Sequence, residues 1–210
     1  MSGGHCQIVI VKSPISYEIL GSSIDDAVGE AFDKVAKMLS LPYPGGPEIE
    51  LKAKDGDPKS YKLPRSLYGQ KNCNFSFSGI KTAVSRIIAK EIESRGNLTP
   101  DFIANIAASF QFTVSETLID RLKFALDQIK TNYPNLNDIV LAGGVADNQY
   151  IYQKLKLFTS ELGYRLSSPP IALCTDNAAM IAWAAAECDQ LGMSSPLDTE
   201  PKAHWPLDKL

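Results

Sequence analysis

Leu141-Ala142-Gly143-Gly144-Val145-Ala146-Asp147-Asn148 constrains this chain more than any other stretch, because it joins an apolar run to an amphipathic helix through two glycines. Asp138-Ile139-Val140-Leu141-Ala142 is short, continuous and rich in β-branched and aliphatic residues, the pattern of a strand buried on both faces of an α/β sheet. Beyond the glycines, Ile151, Leu155, Phe158 and Leu162 recur at helical spacing, which puts Asp147 or Asn148 at the N-cap. A glycine pair lets the backbone turn sharply and lets a ligand approach with no Cβ in the way. A helix N-terminus beside bare backbone favours an anion such as a phosphate, although a ligand-free strand-to-helix turn has the same local signature.

Composition narrows the class. With 210 residues, 44% hydrophobic and 21% charged, the chain can build one sizeable core or two small domains. A formal net charge of -3 excludes a whole-molecule field that draws it to nucleic acid or membrane, and leaves room for a local basic patch. Cys6, Cys73, Cys174 and Cys188 form no C-x-x-C pair, which points to reduced thiols and an intracellular setting. No apolar run approaches the ~20 residues of a spanning helix, and no charged-then-apolar leader opens the chain. His5 and His204 are the only histidines, too few for a His-rich metal site.

In chain order, Ser2-Gly3-Gly4 abuts the strand-like Cys6 to Val11 and offers adjacent backbone N–H donors of the kind that hold phosphate or carboxylate. Tyr17 to Gly21 is the returning strand, and Ser22 or Ser23 is expected to cap a helix with Ala27, Ala31, Val35 and Met38 inward. Its Asp25, Asp26, Glu30 and Asp33 precede Lys34 and Lys37, an order that suits the helix dipole and a largely solvated face. Tyr43-Pro44-Gly45-Gly46-Pro47 is a rigid turn in which Gly45 and Gly46 are free to take positive φ, with Pro47 opening a short helix that carries Glu50. Lys54 to Gln70 is polar and turn-rich, a surface excursion. Phe75-Ser76-Phe77 alternates like a strand, Ser78-Gly79 reads as a turn, and Ile80 to Arg95 as a basic helix with Ile80, Val84, Ile87, Ile88 and Ile92 inward. Thr99-Pro100-Asp101 starts a long helix with Ile103, Ile106, Phe110, Val114, Leu118, Leu122, Ala125 and Ile129 on one side, closed by Tyr133-Pro134. Tyr164-Arg165-Leu166 is a further strand, and Thr175 or Asp176 caps a helix rich in small residues.

Six blocks in register resemble the TsaD family, the tRNA N6-adenosine threonylcarbamoyltransferases, in its bacterial and mitochondrial branch. They are Ser2 to His5, Asp25 to Lys34, Tyr43 to Pro47, Asn74 to Thr82, Gly143 to Asn148 and Cys174 to Ala182. The resemblance implies an actin-like, Hsp70-like α/β fold of two lobes with a nucleotide between them. Residues 1–168 are expected to form the second lobe, with its phosphate hairpin and adenosine turn, and residues 169–210 a segment that packs on a first lobe largely missing here. The implied reaction moves threonylcarbamoyl from threonylcarbamoyl-adenylate to N6 of adenosine 37 in tRNAs reading codons that begin with A, releasing AMP.

Residue by residue, the resemblance assigns Ser2, Gly3 and Gly4 to the phosphate or carbamoyl region, Asp33 and Glu50 to ribose or adenine-side donors, Gly46 to close approach of the ring, and Asn148 to the nucleotide. Asp176 becomes a ligand of a divalent metal, iron or zinc. The family's remaining ligands are a His-x-x-x-His pair upstream of the Ser-Gly-Gly turn, and no such pair occurs in this sequence, so one carboxylate stands where a catalytic metal needs about three protein ligands. The chain is therefore expected to be the C-terminal part of such an enzyme and inactive by itself, with Met180, Ile181 and Trp183 on a partly exposed helix. The alternative is a non-catalytic module that pairs with related subunits or tRNA, using a basic face at Lys81, Arg86, Lys90 and Arg95. Implied partners are tRNA, together with a paralogous subunit and a small ATPase in a bacterial cytoplasm or a homodimer in a mitochondrial matrix. A sugar or acetate kinase would not explain Tyr43 to Pro47 or Phe75 to Thr82, and peptidase chemistry lacks both a recognisable triad and H-E-x-x-H.

Overall fold

A computed structural model describes residues 1, 4–196, 198–202 and 205–207. Thirty-three residues of helix α4 (Pro100–Asn132) form its axis. Thr99 caps this helix by accepting from the Phe102 N–H at 3.2 Å, and Pro100 occupies the first turn, as the sequence predicts. Ile106, Phe110, Val114, Leu118, Ala125 and Ile129 are buried along it, while Ile103 and Leu122 are half-buried. By length and apolarity alone α4 would also suit a membrane; 72% of its most apolar window is buried inside the fold, where a core helix belongs.

The fold is mixed α/β, mostly helical, with two small sheets. Strands β1 (Gln7–Ser13) and β2 (Ser16–Ser22) make an antiparallel hairpin whose register slips between Ile8 and Val9 and between Val11 and Ser13. Helices α1 (Val28–Met38), α2 (Gly45–Ala53) and α3 (Ser78–Arg95) follow. After α4 come β3 (Asp138–Val140), a 3-10 turn (Gly144–Asp147), α5 (Gln149–Glu161), β4 (Arg165–Ser167) and α6 (Ala178–Gln190). Strand β4 pairs parallel with β3. Phe32 of α1 meets Phe110 of α4 edge-on, with ring centroids 4.9 Å apart, and this contact sits in the main core.

Several sequence expectations need correction. Strand β3 is not buried on both faces: Val140 is 67% exposed, because only β4 flanks the strand among the described residues. Residues 75–77 are not a strand. Phe75 makes one isolated bridge to Ser23, and Ser78-Gly79 already belongs to α3, because Asp25 holds this segment by its polar groups. Helix α1 is not capped by Ser22 or Ser23; β2 runs through Ser22, Ser23 Oγ donates to the Asp26 carbonyl at 2.7 Å, and the N-cap is Ala27, whose N–H donates to Glu30 at 3.4 Å. Gly45 and Gly46 lie inside α2 without positive φ. Ile87 is half-buried and packs against the main core as expected, but Ile92 is 47% exposed, since the last turn of α3 projects past the core; Leu162 is likewise exposed, just beyond the end of α5. Residues 54–70 are an irregular excursion, but it is anchored: Leu63 is buried, and Tyr61 packs edge-on against Phe102 at 5.6 Å.

Candidate functional site

Gly143 has φ +91°, and a Cβ built there falls 2.3 Å from the Met1 carbonyl oxygen, so this position requires glycine on two counts. The Met1 amine donates to the Ala142 carbonyl at 2.5 Å, and the Met1 carbonyl accepts from the Val145 N–H at 3.2 Å. The chain then winds through the 3-10 turn to Asn148, which caps α5: its Oδ1 accepts from the Ile151 N–H at 2.9 Å. Of the two candidate caps, Asn148 is the one used. Its Nδ2 donates to Gln111 Oε1 at 2.7 Å, and both side chains are buried. Asp147 Oδ1, beside this cap, is buried and accepts no hydrogen bond among the described residues. Burial first, and Asp147 second, push the Cys174 thiol above its usual range.

The two carboxylates singled out in the sequence each stand on a helix N-terminus, Asp33 on that of α2 and Glu50 on that of α5. Asp33 Oδ1 accepts from the Gly45 N–H at 2.8 Å, which ties the start of α2 to α1. Glu50 Oε1, from α2, accepts from the Gln149 N–H at 2.8 Å and the Tyr150 N–H at 3.4 Å, so it shares the start of α5 with Asn148. Asp33, α2, Glu50, α5 and Asn148 therefore form one connected chain of helix N-termini, each satisfied by a side chain. Each carboxylate makes these bonds through a single oxygen, which leaves Asp33 Oδ2 and Glu50 Oε2 to accept from something else. Open concavities flank the network, one of about 280 Å³ beside Asp33, Lys37 and Tyr43, another of about 610 Å³ beside Glu50, Gln111 and Gln149. A third cavity of about 460 Å³ lies between β1 and β3, lined by Met1, Leu141 and Ala142 beside the Gly143 turn and not by Asp33, Glu50 or Asn148.

Gly46 faces open space, while its neighbour Gly45 is crowded: a Cβ there would come within 2.7 Å of Ala36 and of the Asp33 backbone. Helix packing thus demands Gly45 and places no steric demand on Gly46 among the described residues. Gly4 is exposed with room for a side chain; Ser2 and Gly3 lie outside the described residues. Asp176 is exposed, and the cap of α6 is its neighbour Asn177, whose Oδ1 accepts from the Met180 N–H at 3.0 Å. No group of three His, Cys, Asp or Glu side chains that could hold a metal comes together among the described residues, so their donor set does not fit a metal site by itself. No residue of α6 is buried; Met180, Ile181 and Trp183 are 46%, 64% and 72% exposed.

Residues that sequence reasoning passed over hold this site in place. Gln111 sits on the inner side of an otherwise apolar stretch of α4, a buried amide whose position was the available signal. Asp25, placed on a solvated face by its sequence context, accepts from Ser76 Oγ at 2.5 Å, Ser78 Oγ at 2.7 Å and the Phe77 N–H at 2.8 Å. Burial would raise the Asp25 carboxyl; these donors outweigh it and hold it below the usual carboxylate range. Asp26 is held low in the same way by Lys81 and Lys34, at 2.5 and 2.9 Å, again against burial. The only sign of these roles in the sequence was the adjacency of two acids before a helix.

A sequence model of the family described as TsaD, tRNA N6-adenosine threonylcarbamoyltransferase, matches residues 1–183. Over its full length the chain is 52% identical to the tRNA N6-adenosine threonylcarbamoyltransferase of Rickettsia rickettsii strain Sheila Smith and 52% identical to that of Rickettsia bellii strain OSU 85-389, covering 60% of each relative. It is 47% identical to the protein of that name from Brucella suis, covering 58% of it. The chain thus spans about 60% of the length of the curated relatives it matches.

Proposed function

Because the chain belongs to the TsaD family, we propose that it forms the nucleotide-binding part of a tRNA N6-adenosine threonylcarbamoyltransferase. The observation that carries the reading is the meeting of Asp33, Glu50 and Asn148 on the N-termini of α2 and α5, next to the Gly143 turn. The whole enzyme takes an actin-like, two-lobed form, with residues 1–168 as the second lobe and residues 169–210 crossing to the first. The exposed α6 then packs against that lobe.

In the reaction, the N6 amine of adenosine 37 attacks the carbamoyl carbon of threonylcarbamoyl-adenylate. A C–N bond forms, the bond from that carbon to the phosphate oxygen breaks, AMP leaves with the electron pair, and the amine's proton passes to solvent. Adenylate is a good leaving group, so orientation and charge stabilisation supply most of the rate. The turn at Gly143-Gly144 offers the phosphate backbone N–H groups, while the first N–H groups of α5 are already held by Glu50 and Asn148. The second oxygens of Asp33 and Glu50 accept ribose hydroxyls, Asn148 orients the nucleotide, Gly46 admits the ring, and Ser2, Gly3 and Gly4 meet the phosphate or carbamoyl group. Asp176 is one donor toward the family's iron or zinc, and no step is assigned through that metal. The macromolecular substrate is tRNA; a paralogous subunit with a small ATPase, or a second copy, completes the assembly in a bacterial cytoplasm or a mitochondrial matrix.

Grafting the 210 residues in place of the corresponding segment of the Rickettsia rickettsii relative tests this. In bacteria depleted of their own enzyme, the chimera should restore threonylcarbamoyladenosine in tRNA, read by mass spectrometry of the nucleosides. Glu50→Ala should abolish it. A soluble chimera that leaves tRNA unmodified overturns the proposal.

A further inference from the structure

Charge along this chain is segregated. Between Pro58 and Lys90 there are seven basic residues, Lys59, Lys62, Arg65, Lys71, Lys81, Arg86 and Lys90, and no aspartate or glutamate, in a chain of net charge -3. The fold brings this stretch onto one face. The excursion runs alongside α4: the Asp57 N–H donates to Asn105 at 2.8 Å, the Tyr61 N–H to Ser109 at 3.1 Å, Arg65 to Glu116 at 3.3 Å, and Arg121 to the Gln70 and Asn72 carbonyls at 3.1 and 2.8 Å. Helix α3 returns antiparallel along it. A Cβ on Gly79, at the start of α3, would meet Ser66 at 2.8 Å, while Glu91 and Arg95, at its end, lie within electrostatic reach of Tyr61.

Several nearby acids are already taken. Asp26 holds Lys34 and Lys81, Glu116 holds Arg65, Asp120 holds Arg121 and Glu91 holds Arg95. Lys81 and Arg95, expected from the sequence as contact residues, are therefore occupied. Lys59, Lys62, Lys71, Arg86 and Lys90 remain exposed and without an ion pair among the described residues. Among them Tyr68 stands 58% exposed, with the Arg65 guanidinium 3.8 Å above the centre of its ring.

We propose that the face built from residues 58–72 and the outer side of α3 is an RNA-docking surface, on which five unpaired cations contact phosphates and Tyr68 stacks on an unpaired base. Exposed lysines alone suit any polyanion; a cation-stacked tyrosine among them favours RNA, whose bases offer π faces. The inference rests on tRNA as the macromolecular substrate and names where it lies. Five phosphate contacts at about 0.7–0.9 counterions each give a slope of roughly -4 in log affinity against log salt, so binding should weaken by about two orders of magnitude between 50 and 200 mM salt.

The test is titration of the full chain with unmodified tRNA across that salt range. The variant carrying Lys59→Gln, Lys62→Gln, Lys71→Gln, Arg86→Gln and Lys90→Gln should bind at least about tenfold more weakly at 50 mM, with most of the salt slope gone. Tyr68→Ala should weaken binding about tenfold and leave the slope unchanged. Far-UV circular dichroism checks that both variants stay folded. The proposal is overturned if the wild type shows no tRNA binding at 50 mM salt, if the five-residue variant binds like the wild type, or if phosphatidylglycerol vesicles compete tRNA off this face. Its failure is separable from that of the enzyme reading, because modification of tRNA by the chimera is measured independently of this titration.

Discussion

Replacing Asn148 by alanine separates what this residue does for the fold from what it does for a ligand. The side chain makes two bonds in a buried setting, accepting from the Ile151 N–H at 2.9 Å and donating to Gln111 at 2.7 Å. Loss of an N-cap costs about 1 kcal/mol, and the Gln111 amide left unpaired inside the fold costs about 1–2 kcal/mol more. Asn148→Ala should therefore lose about 2–3 kcal/mol, which at a urea m-value of about 2–3 kcal/mol/M lowers the midpoint by about 1 M. Asn148→Asp keeps the cap, and its charge suits the helix dipole. Gln111 can turn its amide to donate to it, while a carboxylate buried beside Asp147 and Glu50 carries a desolvation and repulsion cost, so stability should fall between the wild type and Asn148→Ala. Nucleotide binding should not return if the Asn148 amide is what the ligand meets. Urea unfolding followed by circular dichroism reads the first effect and AMP titration the second. An alanine variant as stable as the wild type, or an aspartate variant as weak as the alanine one, refutes the reasoning.

Arg121→Met should destabilise by about 3–4 kcal/mol, because the fully buried guanidinium serves two carbonyls of the 70–72 loop and Asp120; a urea midpoint within error of the wild type would contradict this. Asp25 and Asp26 are held low in the folded state, so their contribution is present above the unfolded carboxylate value of about 3.9 and is lost as pH falls through the folded value. The urea midpoint should drop on acidification below about pH 4, and drop less in the Asp25→Asn, Asp26→Asn double variant; equal pH dependence in both proteins would rule these groups out. Burial pushes the Cys6 thiol up to about 12, and Cys73 and Cys174 are also raised, whereas Cys188 is half-buried on α6. A thiol reagent at pH 8 should label Cys188 first and Cys6 only on unfolding, and prompt labelling of Cys6 in the native protein would show that β1 does not pack as described.

Much of what depended on neighbours in the chain was legible in the sequence, although α1 starts after Ala27 and α6 after Asn177, not after Ser22 or Ser23 and Thr175 or Asp176. Thr99-Pro100 started α4 because a cap and a proline act within one turn, and Tyr133-Pro134 ended it for the same reason. Gly143 and Asn148 were readable because a positive φ and an N-cap are properties of a few adjacent residues. What only the tertiary structure decided was the use of polar groups that meet across long separations. Asp25 looked solvated because its partners, Ser76 to Ser78, lie some fifty residues away. The same distance turned Phe75 to Phe77 from an alternating strand into a clamped lead-in to α3. Asp33 and Glu50 were singled out as carboxylates, yet only the packing of α1, α2 and α5 showed that each spends one oxygen on a helix N-terminus. Local periodicity and capping are set by sterics and dipoles within one or two turns, whereas the partner of a buried charge is set by which helices pack together.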